Sequence, residues 1–151
     1  MNYSCKQLAR SDVAQLKEML KVFGEAFEDL NAYQGAVPNG SYLKSLLSKQ
    51  HFIALVALSE SNEVVGGLAA YELQKFERDR SEIYIYDLAV LEAYRRRGIA
   101  TALINKLKGI AKERRAYVIF VQADHGDMPA IKLYESMGKK EDVYHFDISI
   151  D

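Results

Sequence analysis

Residues 87–102 read DLAVLEAYRRRGIATA, and the reading of the whole chain turns on them. A β-rich run, Glu82 to Val90, feeds a short polar connection, then Arg95, Arg96, Arg97, Gly98, Ile99, Ala100 and Thr101, where a helical pattern opens at once. Strand, basic glycine turn and helix start together make a phosphate cradle. Amide N–H groups at a helix N-terminus have no intrahelical acceptors, and the helix dipole places partial positive charge there. Gly98 allows the backbone to approach a ligand closely, and arginines add charge-assisted hydrogen bonds. The same residues also describe a solvated arginine run on a strand–helix connection, so the surrounding chain has to decide.

Upstream, strict alternation along Glu82–Val90 sets Glu82, Tyr84, Tyr86, Leu88 and Val90 on one face and Ile83, Ile85, Asp87 and Ala89 on the other. Asp87 is therefore expected on the more apolar face, where a carboxylate is costly unless it is paired, hydrogen-bonded or used. A bulge would re-aim it. Before this strand, Phe52–Leu58 and Val64–Leu73 read as an antiparallel hairpin closed by the turn Glu60–Glu63. Tyr3–Leu8 reads as an edge strand. Ser11 offers an N-cap for a helix whose stripe is Val13, Leu16, Met19, Leu20, Phe23 and Phe27. Asn31–Ser41, with Gly35, Pro38 and Gly40, reads as an irregular loop, and Ser41–Leu47 as a short helix.

Downstream, Ile99, Leu103, Leu107, Ile110 and Ala111 form the inner stripe of a helix running to about Arg114. Tyr117–Gln122 is almost continuously apolar, the pattern of a strand buried on both faces, and should lie parallel to Glu82–Val90 through a right-handed crossover. Asp127 and Pro129 open a further helix, ended by Gly138. Val143–Ile150 alternates again and is expected to be a last strand.

The length suits one domain spanning residues 1–151, large enough for a real core. A net charge of −1 argues against a general nucleic-acid binder and against a basic membrane-surface protein. The single cysteine, Cys5, cannot form an internal disulfide and reads as a buried small side chain near a strand, which points to a reducing, cytoplasmic setting. The polar N-terminus is unlike a signal sequence, and the longest apolar run, Phe52–Leu58, is too short to span a bilayer. His51, His125 and His145 lack ligand-like spacing, so no metal is expected.

Acidic residues gather in three places: Glu25, Glu28 and Asp29; Asp124 and Asp127; and Glu141, Asp142 and Asp147, with His145 among the last. From Val22 to Leu43 there is no Lys or Arg. These groups would suit a polycationic ligand, or equally an ordinary solvated surface.

The element order β-α-α-β-β-β-α-β-α-β, with R-x-x-G-x-A at Arg95–Ala100, resembles the GCN5-related N-acetyltransferases. The segment Ala130–Gly138, which looks like that family's A-x-x-L-Y-x-x-x-G motif, occurs in the right order and at the right separation. Asp127 departs from the Asn often found before the motif helix, but either residue serves as an N-cap. The match is closer to one branch: SEIYIYDLAV, RRRGIATALI, VQADHGD and the terminal HFDI look like the gentamicin (aminoglycoside) 3-N-acetyltransferases.

The resemblance implies a mixed α/β (α+β) fold with a central six- to seven-stranded sheet, a splayed parallel strand pair and helices on both faces. It implies acetyl-CoA as donor, an aminoglycoside amine as acceptor, direct transfer in a ternary complex, and a homodimer. Arg95–Thr101 would hold the pyrophosphate, and backbone groups of Leu88, Ala89 and Val90 would pair with the pantetheine amides. Only a neutral amine attacks a thioester, so a general base is needed; Asp87 is the first candidate and Glu82 the second. Tyr134 aligns with the tyrosine that protonates the leaving thiolate, although its spacing is also that of core packing. Two other readings stay open: an acetyltransferase for a polyamine or for a protein lysine or N-terminus, and a noncatalytic acyl-CoA-binding module.

Overall fold

The computed structural model describes residues 2–151. Its elements are β1 (Tyr3–Gln7), α1 (Val13–Ala26), α2 (Leu30–Gln34), α3 (Gly40–Leu47), β2 (Phe52–Ser59), β3 (Val64–Gln74), β4 (Ser81–Val90), α4 (Ile99–Glu113), β5 (Ala116–Val121) and α5 (Met128–Met137). The strands form one sheet in chain order, β1-β2-β3-β4-β5. Short connections make the β2–β3 and β3–β4 neighbours antiparallel, and the α4 crossover makes β5 parallel to β4.

Period-two alternation on β2 separates two cores. Ile53, Leu55 and Ala57 face α4, packing with Ile99, Leu103 and Leu107. Phe52, Ala54, Val56 and Leu58 face the opposite layer, packing with Leu16, Met19, Val22 and Phe23 of α1 and Leu43 of α3. Helices therefore cover both faces, and β2 is buried almost end to end. Cys5 is part-buried on β1 against the α4-side core, and burial raises its thiol pKa.

Several expectations need correction. The sheet has five strands among the described residues, because Val143–Ile150 forms no strand and is exposed throughout. β5 is not buried on both faces: it is a sheet edge, with Tyr117 and Val118 exposed. The stretch read as a loop after α1 contains α2, capped by Asp29, whose Oδ1 accepts from the Ala32 N–H at 3.1 Å. Ser11 is not the cap of α1; Asp12 precedes the helix, and its carboxylate turns back to the Ala9 N–H (2.7 Å) and Lys6 Nζ (3.0 Å).

Leu103 is wholly buried where α4 crosses the sheet. Leu103→Ala should therefore cost about 2–5 kcal/mol, read as a lower urea midpoint with an unchanged slope.

Candidate active site

One extra residue in β4 positions the site. The β3–β4 ladder pairs Ala69 with Asp87 but Ala70 with Ile85, leaving Tyr86 as a bulge. Up to the bulge, Ile83 and Ile85 face the α4 core; after it, Leu88 and Val90 do. Asp87 consequently leaves the face of Ile85 on which strict alternation placed it and joins the α1–α2 face. It follows Tyr84, whose ladder partner Tyr71 lies there too.

On that face Tyr33 of α2 donates its hydroxyl to Asp87 Oδ1 at 3.0 Å. The Tyr33 ring is fixed against Phe23 and Phe27, with centroids 5.8 and 5.6 Å away. Tyr86 lies edge-on to Tyr71 and Tyr84, and Tyr84 stacks on Phe120 of β5 at 4.7 Å. Burial raises the Asp87 pKa, and the Tyr33 hydrogen bond partly opposes the shift. The Tyr33 pKa is strongly raised, first by burial and then by the Asp87 charge it touches. The result is a carboxylate poised above its ordinary range beside an aromatic wall able to contact organic cations.

The β4–β5 ladder covers only Ser81–Ile85 on β4, ending opposite Val121. β4 runs on alone to Val90, so Leu88, Ala89 and Val90 border an opening between the two strands. Beyond Val90 the chain turns sharply. Arg95 Nε donates to the Val90 carbonyl at 3.0 Å, and Arg96 and Gly98 both have left-handed backbone, at φ 64° and 78°. A Cβ on Gly98 would meet nothing nearer than the Tyr3 hydroxyl at 3.8 Å, so dihedral preference rather than space demands glycine there.

α4 starts at Gly98 without a capping side chain, whereas Asp29, Asn39 and Asp127 cap α2, α3 and α5. Its first intrahelical bond is Ala102 N–H to the Gly98 carbonyl at 2.9 Å, so the amides of Gly98, Ile99, Ala100 and Thr101 precede the ladder. Donors, positive dipole end and the exposed guanidinium chains of Arg95, Arg96 and Arg97 fit a pyrophosphate.

Tyr134 of α5 packs on the α4-side core, its pKa pushed up to about 12 by burial and then by the charges of Asp127 and Asp87. Its hydroxyl therefore stays protonated through neutral pH. Asp127 caps α5, accepting from the Ala130 N–H at 3.3 Å. Glu82 is held at the far end of β4, roughly 15 Å from Asp87 at about 3.3 Å per residue, by the Tyr117 hydroxyl (3.0 Å) and Lys75 Nζ (3.7 Å).

The acidic candidates do not converge within one chain. Glu25 and Glu28 border an open depression with Gly24 and Leu30 at the end of α1. Asp124 is exposed in the loop before α5, and Asp142, His145 and Asp147 lie on the exposed C-terminal segment, where His145 Nε2 sits 3.0 Å from Asp147 Oδ1. Among the described residues no cluster of three or more His, Cys, Asp or Glu side chains could hold a metal ion. Sequence reasoning missed Tyr33, Tyr71, Tyr84 and Tyr86 as site residues. The available signal was the pair Tyr84 and Tyr86 beside Asp87 on β4, in a chain with ten tyrosines and no tryptophan.

Residues 16–139 match the acetyltransferase (GNAT) family model, and the chain belongs to that family of N-acetyltransferases, whose members use acetyl-CoA. Among solved structures it is similar to an aminoglycoside acetyltransferase from an uncultured soil metagenomic sample, with 56% identity, 100% of both chains covered and a TM-score of 0.97. A second soil metagenomic aminoglycoside acetyltransferase, in complex with sisomicin, is 31% identical over 99% of this chain and 97% of its own, with a TM-score of 0.91. An uncharacterized N-acetyltransferase of Bacillus subtilis (strain 168) is 26% identical, covering 91% of this chain and 89% of its own.

Carboxyl carbon NMR should find Asp87 titrating above the ordinary aspartate value of about 3.9. Tyr33→Phe removes the one interaction opposing the shift and should move it higher still. An unchanged titration would show that the hydroxyl does not stabilise the carboxylate.

Proposed function

We propose that this protein acts as one acetyltransferase domain. It moves the acetyl group of acetyl-CoA to an amino group of an aminoglycoside, at the 3-amino position of gentamicin-type drugs. The observation that carries this reading is the Asp87 carboxylate, held by Tyr33 near the end of the strand that leads into the uncapped basic turn at Gly98. Similarity to two aminoglycoside acetyltransferases over nearly the whole chain supports the acceptor class. The branch-specific stretches SEIYIYDLAV and VQADHGD support the position on the ring.

Acetyl-CoA supplies an acyl group already activated as a thioester. The amides from Gly98 to Thr101 and the arginines beside them bind its phosphates, and the unpaired flank of Leu88–Val90 lies along its amide-bearing arm. Asp87 takes a proton from the acceptor ammonium, leaving the neutral amine that attacks. Its raised pKa brings its basicity closer to that of the amine than a solvated aspartate would. Tyr134 keeps its hydroxyl proton at neutral pH and gives it to the departing sulfur, and the second proton that the nitrogen loses on becoming an amide restores the phenol. Tyr71, Tyr84 and Tyr86 offer ring faces to the remaining ammonium groups, and the stretch from Val22 to Leu43, which includes Tyr33, carries no Lys or Arg. Acetylation removes one positive charge from a drug that binds RNA phosphates, which weakens that binding and confers resistance.

Thiol release with gentamicin, a kanamycin, spermine and a lysine peptide tests the acceptor, and NMR of the product locates the acetyl group. Turnover on gentamicin with 3-amino acetylation is expected; turnover on spermine or peptide alone would replace the acceptor class. Coenzyme binding without turnover on any amine would leave a binding module.

Asp87→Asn should lower kcat about 10²–10⁴-fold with coenzyme affinity intact, and wild-type turnover would remove it as base. Tyr134→Phe should lower kcat with little change in KM, whereas wild-type turnover would leave Tyr134 as packing. Gly98→Val places a β-branched residue at positive φ and should abolish acetyl-CoA binding by calorimetry; retained affinity would show that the cradle is elsewhere.

A further inference from the structure

A second cleft lies at the other end of α4 from the Gly98 turn, where the β3–β4 connection meets the turn between α4 and β5. The fifteen residues of α4 separate the two places by about 22 Å, at roughly 1.5 Å per residue. The cleft has a volume of about 370 Å³, and its charged lining is Glu72, Lys75, Asp79, Arg80, Arg114 and Arg115. Four cations therefore face two carboxylates, an excess of two positive charges in a protein whose net charge is −1.

Two of the four cations are matched. Arg114 Nη1 donates to Glu72 Oε1 at 2.8 Å and to the Gln50 carbonyl at 2.6 Å, and the buried Ser81 hydroxyl donates to the other Glu72 oxygen at 2.6 Å. Lys75 Nζ lies 3.7 Å from the carboxylates of both Glu77 and Glu82. Arg80 and Arg115 have no such match: among the described residues neither guanidinium forms an ion pair. Arg80 lies over the Tyr117 ring, with Cζ 3.7 Å from the centroid, and its Nε is shut off from solvent without an acceptor. A buried donor in that condition is costly. Arg115 follows the C-cap of α4 in left-handed backbone, at φ 58°, a place that helix ends usually give to glycine. The negative end of α4 is answered by its own turn, where the Arg114 and Arg115 N–H groups donate to the Ile110 and Lys112 carbonyls at 3.0 and 3.2 Å. The remaining carboxylate, Asp79, is exposed.

We propose that this cleft binds a small phosphate dianion between Arg80 and Arg115. Guanidinium groups match phosphate oxygens in pairs, and the excess of two positive charges equals the charge to be neutralised. The volume lies at the small end of ligand-sized clefts. The anion supplies the Arg80 guanidinium with acceptors that the protein does not. It also joins two turns that leave opposite ends of the β4–α4 unit, the one before Ser81 and the one after Glu113, so binding stabilises the fold at a distance from the proposed acetyl-transfer site.

The test uses inorganic phosphate on the full chain and needs neither coenzyme nor acceptor, so it is independent of the proposed activity. Because phosphate also suits the Gly98 turn, the readout is resolved by residue. Nitrogen-15 NMR follows the Arg80 Nε–H and the amides of residues 75–81 and 114–117 separately from those of residues 98–101. Saturable shifts in the first set are expected, and chloride at equal ionic strength should not reproduce them. Arg80→Leu should weaken that response by about tenfold or more, leaving the spectrum elsewhere as in the wild type, and Arg115→Gln should weaken it as well. Shifts confined to residues 98–101, no saturable shift at all, an equal response to chloride, or an undiminished response in Arg80→Leu would each overturn the site. The wild-type shifts decide the matter even if a variant misfolds.

Discussion

The site depends on a single residue of mismatch between two strands. Tyr86 has no ladder partner on β3, and this insertion reverses the side on which the next residue points. Without it, Asp87 would follow Ile83 and Ile85 into the α4 core, away from the Tyr33 hydroxyl, where an ionised carboxylate is costly. With it, Asp87 reaches the Tyr33 hydroxyl while Leu88 and Val90 keep the α4 core filled. The β4–β5 ladder ends at Ile85, the residue before the bulge, so the turn of the carboxylate and the parting of the strands occur at one place.

From that point the two layers of the fold contribute different chemistry. The α1–α3 layer brings Tyr33 and its aromatic support, and it approaches from a stretch of chain without Lys or Arg. The α4 side brings an uncapped helix start, three arginines and Tyr134. β4 lies between them and belongs to both. A net charge near zero therefore conceals a separation of charge along one strand and its following turn.

Regular elements were legible because their periodicities survive in the sequence. The stripe Ile99, Leu103, Leu107 and Ala111 names the buried face of α4, and β2 and β3 were placed within a residue or two. The Gly98 turn was legible as well, since few residues other than glycine enter left-handed backbone at low cost. The direction of Asp87 was not, because a bulge is a property of two strands and the alternation of one strand contains no mark of it. α2 was hidden by Gly35, Pro38 and Gly40, which dominate the composition of its neighbourhood although the helix itself ends before them. The Val143–Ile150 segment shows a third limit. Alternation states that a stretch has one apolar side, but it does not state which surface receives it, and among the described residues its own chain does not.

Local costs in the folded chain gather at two places on the β4–α4 unit, the Gly98 turn and Asp87. A glycine at the start of α4 in place of a capping side chain forgoes only about a few tenths of a kcal/mol, whereas Arg96 in left-handed backbone costs about 1–2 kcal/mol, at a turn that carries three consecutive arginines. Half-burying Asp87 adds a further cost whose sign follows from its raised pKa. Between the unfolded and folded pKa values the native state holds more protons, so stability falls as pH rises through that window. A sequence shaped only for stability would place an uncharged residue at position 87 and a residue other than arginine at the left-handed position 96. An anionic ligand at the turn and a cationic one at the carboxylate relieve both costs together. The unstable features of this strand and turn are thus complementary in charge to a phosphate-bearing donor and an amine acceptor, and the well-packed α4 face beneath them is what allows the fold to retain them.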